Sequence, residues 1–288
     1  MRCSKWTKNG SAYGLLDEYC LQTVPSQRKV TAQNCDRHSN VINKRKISNI
    51  ILRFKGEIGK RRDLGAEVWG RKSKVRTKKS GQKEVGQRKR DLRRRFLSWR
   101  CQLSVDQWQH LSQKLCDRLK SQLSSHPQLK TATTLLVYQS HRQEPDLKVM
   151  WNEPVWAKSK IWGLPRCIKE RPSDRKPTRL SWHQWDPTQP LVDGVYGLKE
   201  PDSRWNVLRP EQVDLILVPM VAGDRLGYRL GYGGGFYDRL FDQAQWRSIP
   251  KVGITFDSLL VDRLPHDPWD CPLDAICTEQ QWLGRVIN

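Results

Sequence analysis

From Lys89 onward the apolar residues fall into register: Leu92, Phe96, Trp99 and Leu103 recur at +4, +7 and +11, one face of a helix. Ser104 with Gln107 three residues later has the form of a capping box that opens a second helix. The stripe of that helix, Trp108, Leu111, Leu115 and Leu119, ends before Pro127. Beyond it the pattern changes. Thr133–Tyr138, Lys160–Gly163, Asp214–Pro219 and Val252–Phe256 are short apolar runs between turn signals, as in strands covered on both faces. Helical stretches expected after Glu144, near Gly235 and near the C-terminus would supply that cover. The pattern predicts one α/β domain over residues 89–288, with a central, mostly parallel or mixed sheet flanked by helices.

Residues 1–88 show no sustained period, and composition sharpens the contrast. The 288-residue chain has 52 Lys+Arg against 30 Asp+Glu, a formal charge of +22. The first 88 residues hold 22 basic and 7 acidic side chains, a net of +15, which leaves +7 for the rest. Low hydrophobicity with high net charge predicts a disordered basic extension. Three explanations compete for it: a nucleic-acid-binding tail, since Lys/Arg runs release counterions from phosphate backbones; an organelle transit segment, against which its acids count; or upstream sequence translated from a mis-assigned start. The methionines are Met1, Met150 and Met220, so an internal start near Val85 would need a non-AUG codon. No apolar run approaches the roughly 18 residues of a membrane span. No apolar stretch after the basic start has the form of a secretory signal. The eight cysteines include no C-x-x-C pair, so metal-finger spacing is absent and reduced, cytosolic thiols are expected.

The sharpest local feature is Gly227–Arg239, GYRLGYGGGFYDR, where Gly231, Gly233, Gly234 and Gly235 crowd ahead of a helix-like FYDRLFDQA. Glycines let backbone N–H groups close on an anion, and a helix N-terminus adds about half a positive charge. Arg229 offers a guanidinium suited to bidentate phosphate contact. The run Asp214–Pro219 upstream puts the loop near the carboxyl edge of a sheet, where α/β ligands bind. A glycine cluster alone also describes a flexible turn. Strand, arginine, helix and Asp238 together favour phosphate. The loop matches neither G-x-x-x-x-G-K-[ST] nor G-x-G-x-x-G, so the familiar nucleotide folds are not supported.

RLGYGGGFYDR resembles the signature of the 5-formyltetrahydrofolate cyclo-ligase family, and the resemblance runs through the whole of 89–288. KRDLRRRFLSWRCQLS at 89–104, HRQEPDL at 141–147, WGLPRC at 162–167, DLILVPMVAGDRLGYRLGYGGGFYDR from 214 and LPHDPWDCPLD at 264–274 follow in the family's order. The resemblance implies a single catalytic domain, a ligase that closes 5-formyltetrahydrofolate into 5,10-methenyltetrahydrofolate with ATP and Mg²⁺. In the family's scheme the formyl oxygen attacks the γ-phosphorus to give an iminium phosphate. N10 then adds to the activated carbon, and ADP and phosphate are released. The implied partner is a small-molecule folate, polyglutamylated or not. Cysteine usage and the modest +7 of residues 89–288 favour a cytoplasmic protein with no membrane or nucleic-acid partner, and a monomer is expected.

The resemblance also assigns roles. Lys89 and Arg93, one helical turn apart, contact the ATP phosphates, and Lys89 with Arg229 carries the catalytic charge stabilisation. Arg229, Leu230, Gly231, Tyr232, Gly233, Gly234, Gly235, Phe236 and Tyr237 wrap the triphosphate. Tyr232, Gly233, Gly234, Gly235 and Phe236 also contact substrate, together with Gln139 and Glu144. Asp238 and Asp270 hold Mg²⁺, a hard ion that prefers oxygen ligands. Taken by residue type, the basic helix is equally a solvated face, Asp270 a turn residue and Glu144 a helix cap before Pro145. Trp162, Trp182, Trp185 and Tyr196 are candidates to stack on the pterin or to fill the core. His183 and His266 read as structural or surface residues. Tyr232 and Gly234 stand where some relatives carry a basic residue, with Arg229 or Arg239 to compensate. Two other classes stay open: a nucleic-acid-binding protein driven by the basic tail, and a different phosphate- or CoA-handling enzyme on a related fold.

Overall fold

A computed structural model describes residues 74–171 and 173–284. The expected extension over 1–88 lies outside the described residues as far as residue 73. From Lys74 the chain is helical: α1 spans Lys74–Arg100, so regular structure begins upstream of Lys89, where the apolar period starts. The capping box is present as read. Gln107 N–H donates to Ser104 Oγ, Ser104 N–H donates to Gln107 Oε1, and α2 runs Val105–Ser125.

The main sheet has seven strands. They are β1 (Thr134–Leu136), β2 (Ile161–Ile168), β3 (Arg179–Trp185), β6 (Leu215–Pro219), β9 (Lys251–Ile254), β11 (Ala275–Cys277) and β12 (Trp282–Gly284). Their order is β12-β11-β9-β6-β1-β2-β3, parallel from β11 through β2 and antiparallel at both edges. This is the mixed sheet expected. Alternate residues serve opposite faces. Leu135, Leu215, Leu217, Val252 and Ile254 enter a core with Leu115 and Leu119 of α2 and with Met150 and Trp151 of α3 (Lys148–Asn152), which precedes α4 (Pro154–Ser159). Leu136, Ile216, Val218 and Ile276 face the other core, under α5 (Phe236–Phe241) and α6 (Ala244–Arg247). Two covered faces explain why these strands are apolar throughout.

A two-strand piece, β4 (Val192–Asp193) and β5 (Lys199–Glu200), stands apart, and β7 (Ala222–Asp224), β8 (Arg229–Leu230) and β10 (Leu260–Val261) form a third, small sheet. Phe96 of α1 packs on that small sheet with Val221, Leu230, Phe256 and Leu264. Buried Asp224 ties it together, accepting from the Leu226 and Tyr228 N–H groups through Oδ1 and from Leu264 N–H through Oδ2, each at 2.9 Å. Asp224→Ala strands three N–H donors and is expected to cost about 3–5 kcal/mol in urea unfolding; a loss below about 1 kcal/mol would contradict this account.

Among the described residues the expected C-terminal helix is absent. Ala275–Cys277 is a fully buried three-residue run that adds in parallel to β9, and Trp282–Gly284 turns back beside it as the edge. No helix among the described residues is long and apolar enough to cross a membrane, and Cys116, Cys167, Cys271 and Cys277 are free thiols.

Candidate active site

From β1 the chain proceeds to β2 and β3 on one side, whereas β6, β9 and β11 build the other. The order therefore reverses between β1 and β6, and the crevice outside the carboxyl ends of such a strand pair is where α/β folds bind ligands. Beyond β1 lie half-buried Gln139 and the turn that carries Glu144. Beyond β6 lie Met220, the β7–β8 hairpin and the glycine loop. Two segments far apart in sequence thus meet at one crevice because their strands are paired.

The Glu144 turn has an uncommon backbone. Arg142 (φ 48°) and Gln143 (φ 55°) are consecutive non-glycine residues in the left-handed region, a conformation that persists only when the surroundings hold it. Here Trp108 Nε1 and Ser140 Oγ both donate to Glu144 O at 2.7 Å, and Gln143 Nε2 donates to Leu103 O at 2.9 Å. Glu144 is not a helix cap, since α3 begins at Lys148. Its side chain is buried. Oε2 accepts from His141 N–H at 3.1 Å, while Oε1 has no hydrogen-bond partner. Burial pushes its pKa up to about 7, against partial offsets from the Arg100 charge, the His141 N–H and the nearby Tyr232 hydroxyl.

Across the crevice, Gly233 (φ 96°) and Gly235 (φ 66°) give the glycine loop its shape. A Cβ on Gly233 would lie 3.4 Å from the Arg93 guanidinium carbon. Two arginines grip the loop backbone. Arg93 Nε donates to Gly231 O at 2.6 Å, and Arg239 Nη2 donates to Gly234 O at 2.8 Å. Gly233→Ala is expected to weaken nucleotide binding severalfold, read as a rise in the KM for ATP, because the left-handed backbone is costly for alanine; an unchanged KM would show that the loop tolerates another shape. α5 starts directly after the loop, where the sequence places a helix, but it spans six residues and breaks before α6, and the cationic side chains around it add to the positive character.

Those side chains are paired internally. Lys89 Nζ donates to Asp267 Oδ2 at 2.8 Å and Asp270 Oδ2 at 2.5 Å. Burial lowers its pKa, but the two carboxylates outweigh that and hold it above the ordinary lysine value. Arg229 pairs with Asp238 through Nη2, donates from Nη1 to Cys271 O at 3.0 Å and lies over the Phe241 ring. Lys89, Arg93, Arg229, the glycines, Asp238 and Asp270 therefore form one constellation around the loop and the 264–274 segment.

The sequence model of the 5-formyltetrahydrofolate cyclo-ligase family matches residues 85–279. The chain belongs to the 5-formyltetrahydrofolate cyclo-ligase family. It is 33% identical to 5-formyltetrahydrofolate cyclo-ligase of Escherichia coli K12 over 178 residues, covering 61% of this chain and 92% of that one. The Mycoplasma pneumoniae protein of the same name is 29% identical over 192 residues, 67% of this chain and 99% of its own length. Among solved structures, 5,10-methenyltetrahydrofolate synthetase of Aquifex aeolicus is similar at a TM-score of 0.55 and 33% identity, covering 68% of this chain and 92% of that one. That of Mycoplasma pneumoniae is similar at 0.52 and 27%, covering 66% and 98%.

Within this cyclo-ligase fold, three of the aromatic candidates are not ligand platforms. Trp162, Trp182 and Trp185 are buried, and Trp162 and Trp185 pack edge-on to Trp151. Tyr196 is the exposed one, in a left-handed conformation and edge-on to Phe236. His183 is buried with ring nitrogens on Ser181 Oγ and Trp205 O, and His266 stacks on Tyr228 with ring centroids 4.0 Å apart. Sequence reasoning missed two residues. Asp267 shares Lys89 with Asp270, which the spacing D-x-x-D could have flagged. Arg100 is fully buried against Tyr232 and the Glu144 turn, with nothing in the sequence to set it apart from the arginines around it.

Proposed function

We propose that the chain converts 5-formyltetrahydrofolate to 5,10-methenyltetrahydrofolate, coupled to ATP hydrolysis and dependent on Mg²⁺. The observation that carries this reading is the buried Glu144 carboxylate at the strand reversal, with one oxygen unpartnered beside the glycine loop. A buried acceptor without a donor is costly, and the edge of a pterin ring supplies N–H donors for it. Gln139, at the same strand end, and Tyr232 to Phe236 on the loop supply the rest of that pocket.

The charged groups fit a metal–nucleotide ligand. Each metal candidate, Asp238 and Asp270, is neutralised by a cation of the same site, Arg229 and Lys89. Incoming phosphates can take the cations and leave the carboxylates for a hard ion. When bound, Mg²⁺ supplies charge neutralisation at phosphate oxygens. Lys89, Arg93 and Arg229 spread negative charge as it develops, and the loop N–H groups orient the phosphates.

Incubation with 5-formyltetrahydrofolate and Mg-ATP should give the near-UV absorbance of the methenyl product. No ATP-dependent signal from folded protein would overturn the reading. Asp238→Asn is expected to lower turnover about tenfold or more with the fold intact; near-normal turnover would remove Asp238 from the metal site.

A further inference from the structure

Arg100 closes α1 and is 0% exposed. No carboxylate lies within ion-pair distance of it among the described residues. Oxygens of three chain segments solvate it instead. Nε donates to Arg142 O at 2.7 Å and Nη2 reaches His141 O at 3.5 Å, both on the Glu144 turn. Nη1 donates to Met220 O at 3.3 Å, just past β6. Nη2 also donates to the Tyr232 hydroxyl, and the guanidinium sits 5.7 Å from the centre of that ring. A buried cation is expensive unless its donors are met.

We propose that Arg100 is a positioning residue that ties the Glu144 turn to Tyr232 of the glycine loop, so that the folate wall and the phosphate wall of the crevice hold one fixed register. The proposal rests on the cyclo-ligase reading for its ligands. The planar fork explains the choice of residue. Three donor directions in one plane meet carbonyls of the Glu144 turn and of Met220 at once, and a lysine ammonium on a flexible stem cannot reproduce this. The two left-handed residues, Arg142 and Gln143, sit directly on the carbonyls that Arg100 engages.

Arg100 also sets the electrostatics of Glu144. Facing that carboxylate are Arg100 from α1, Tyr138 past β1, Tyr232 from the loop and Tyr237 from α5, with His141 and Arg142 on its own turn. Of these, Arg100 is the charged group that opposes the effect of burial on Glu144. Removing it leaves burial less opposed, so the Glu144 pKa rises and the ionised form needed to accept pterin donors appears only at higher pH.

The test compares wild type with Arg100→Met, Arg100→Lys and Tyr232→Phe. Arg100→Met should raise the KM for 5-formyltetrahydrofolate at least tenfold, raise the KM for ATP by a smaller factor, and move the acid limb of kcat/KM for folate to higher pH. Arg100→Lys should restore the limb and leave the KM high. Tyr232→Phe, which leaves the carbonyl contacts in place, should raise the folate KM severalfold. Amide hydrogen exchange without any ligand should quicken in Arg100→Met at both residues 141–144 and 231–235. Equal rises in both KM values with an unmoved limb, or faster exchange at only one of the two segments, would overturn the proposal. Should Arg100→Met not fold, an unchanged folate KM in Tyr232→Phe overturns it alone. If wild type forms no methenyl product, the functional reading fails, while the exchange result still decides whether Arg100 couples the two segments.

Discussion

Glu144→Gln is expected to raise the KM for 5-formyltetrahydrofolate about a hundredfold, because the hydrogen bonds lost are those of a charged acceptor, each worth about 1.5–3 kcal/mol. The amide keeps the shape and the bond from His141 N–H, so packing does not account for the loss. In wild type, kcat/KM for folate should fall as pH drops through about 7, where Glu144 takes up a proton; in Glu144→Gln that limb should be gone. The same substitution should stabilise the fold. The folded-state pKa of about 7 lies above the ordinary 4.5, so the unfolded chain releases this proton at lower pH than the folded one does. Stability from this group is complete below pH 4.5 and lost as pH rises through about 7, a swing of about 3 kcal/mol. Glu144→Gln should therefore be more resistant to urea than wild type at pH 8 and gain little at pH 4.5. A variant that is weaker in urea at pH 8, or that keeps a normal folate KM, would remove Glu144 from the role given to it.

Arg229→Gln is expected to lower kcat by about 10²–10³-fold, the range for losing a preorganised donor aimed at developing charge. Arg229 is almost wholly buried, and its guanidinium spans Asp238, Cys271 O and the Phe241 face. Arg229→Lys should recover little, since one ammonium cannot satisfy both the carboxylate and the carbonyl at that spacing. The control is built into the pair. Removing Arg229 also frees Asp238, so the metal requirement should shift in parallel, seen as an altered Mg²⁺ concentration for half-maximal rate. Turnover within about threefold of wild type in Arg229→Gln would end the assignment.

Short-range spacing in the sequence carries directly into local structure. The Ser104–Gln107 box and the stripe Leu115, Leu119 are physical consequences of short-range spacing, and they stand in the structure as read. The four main apolar runs became strands for the same reason. Partnerships across the chain were less legible. Lys89 meets Asp267 and Asp270 at sequence separations of 178 and 181, and only the strand order brings them together. Tryptophans invite stacking with a ligand, but Trp162 and Trp182 are large apolar surfaces on strands with two covered faces, and burial wins. The C-terminal segment misled because Ala275–Cys277 is too short to carry a period, and a vacant edge beside β9 decided its form. Arg100 was invisible for a different reason: a basic helix gives no hint of which arginine points inward.

The length of α1 has a mechanical meaning. Its 27 residues form a shaft of about 40 Å that carries Lys89, Arg93 and Arg100 on a single rigid body. A slip of one residue along its axis would turn each of those side chains by about 100° and withdraw all three together. A cut placed inside it at residue 85 would shorten the shaft that carries all three.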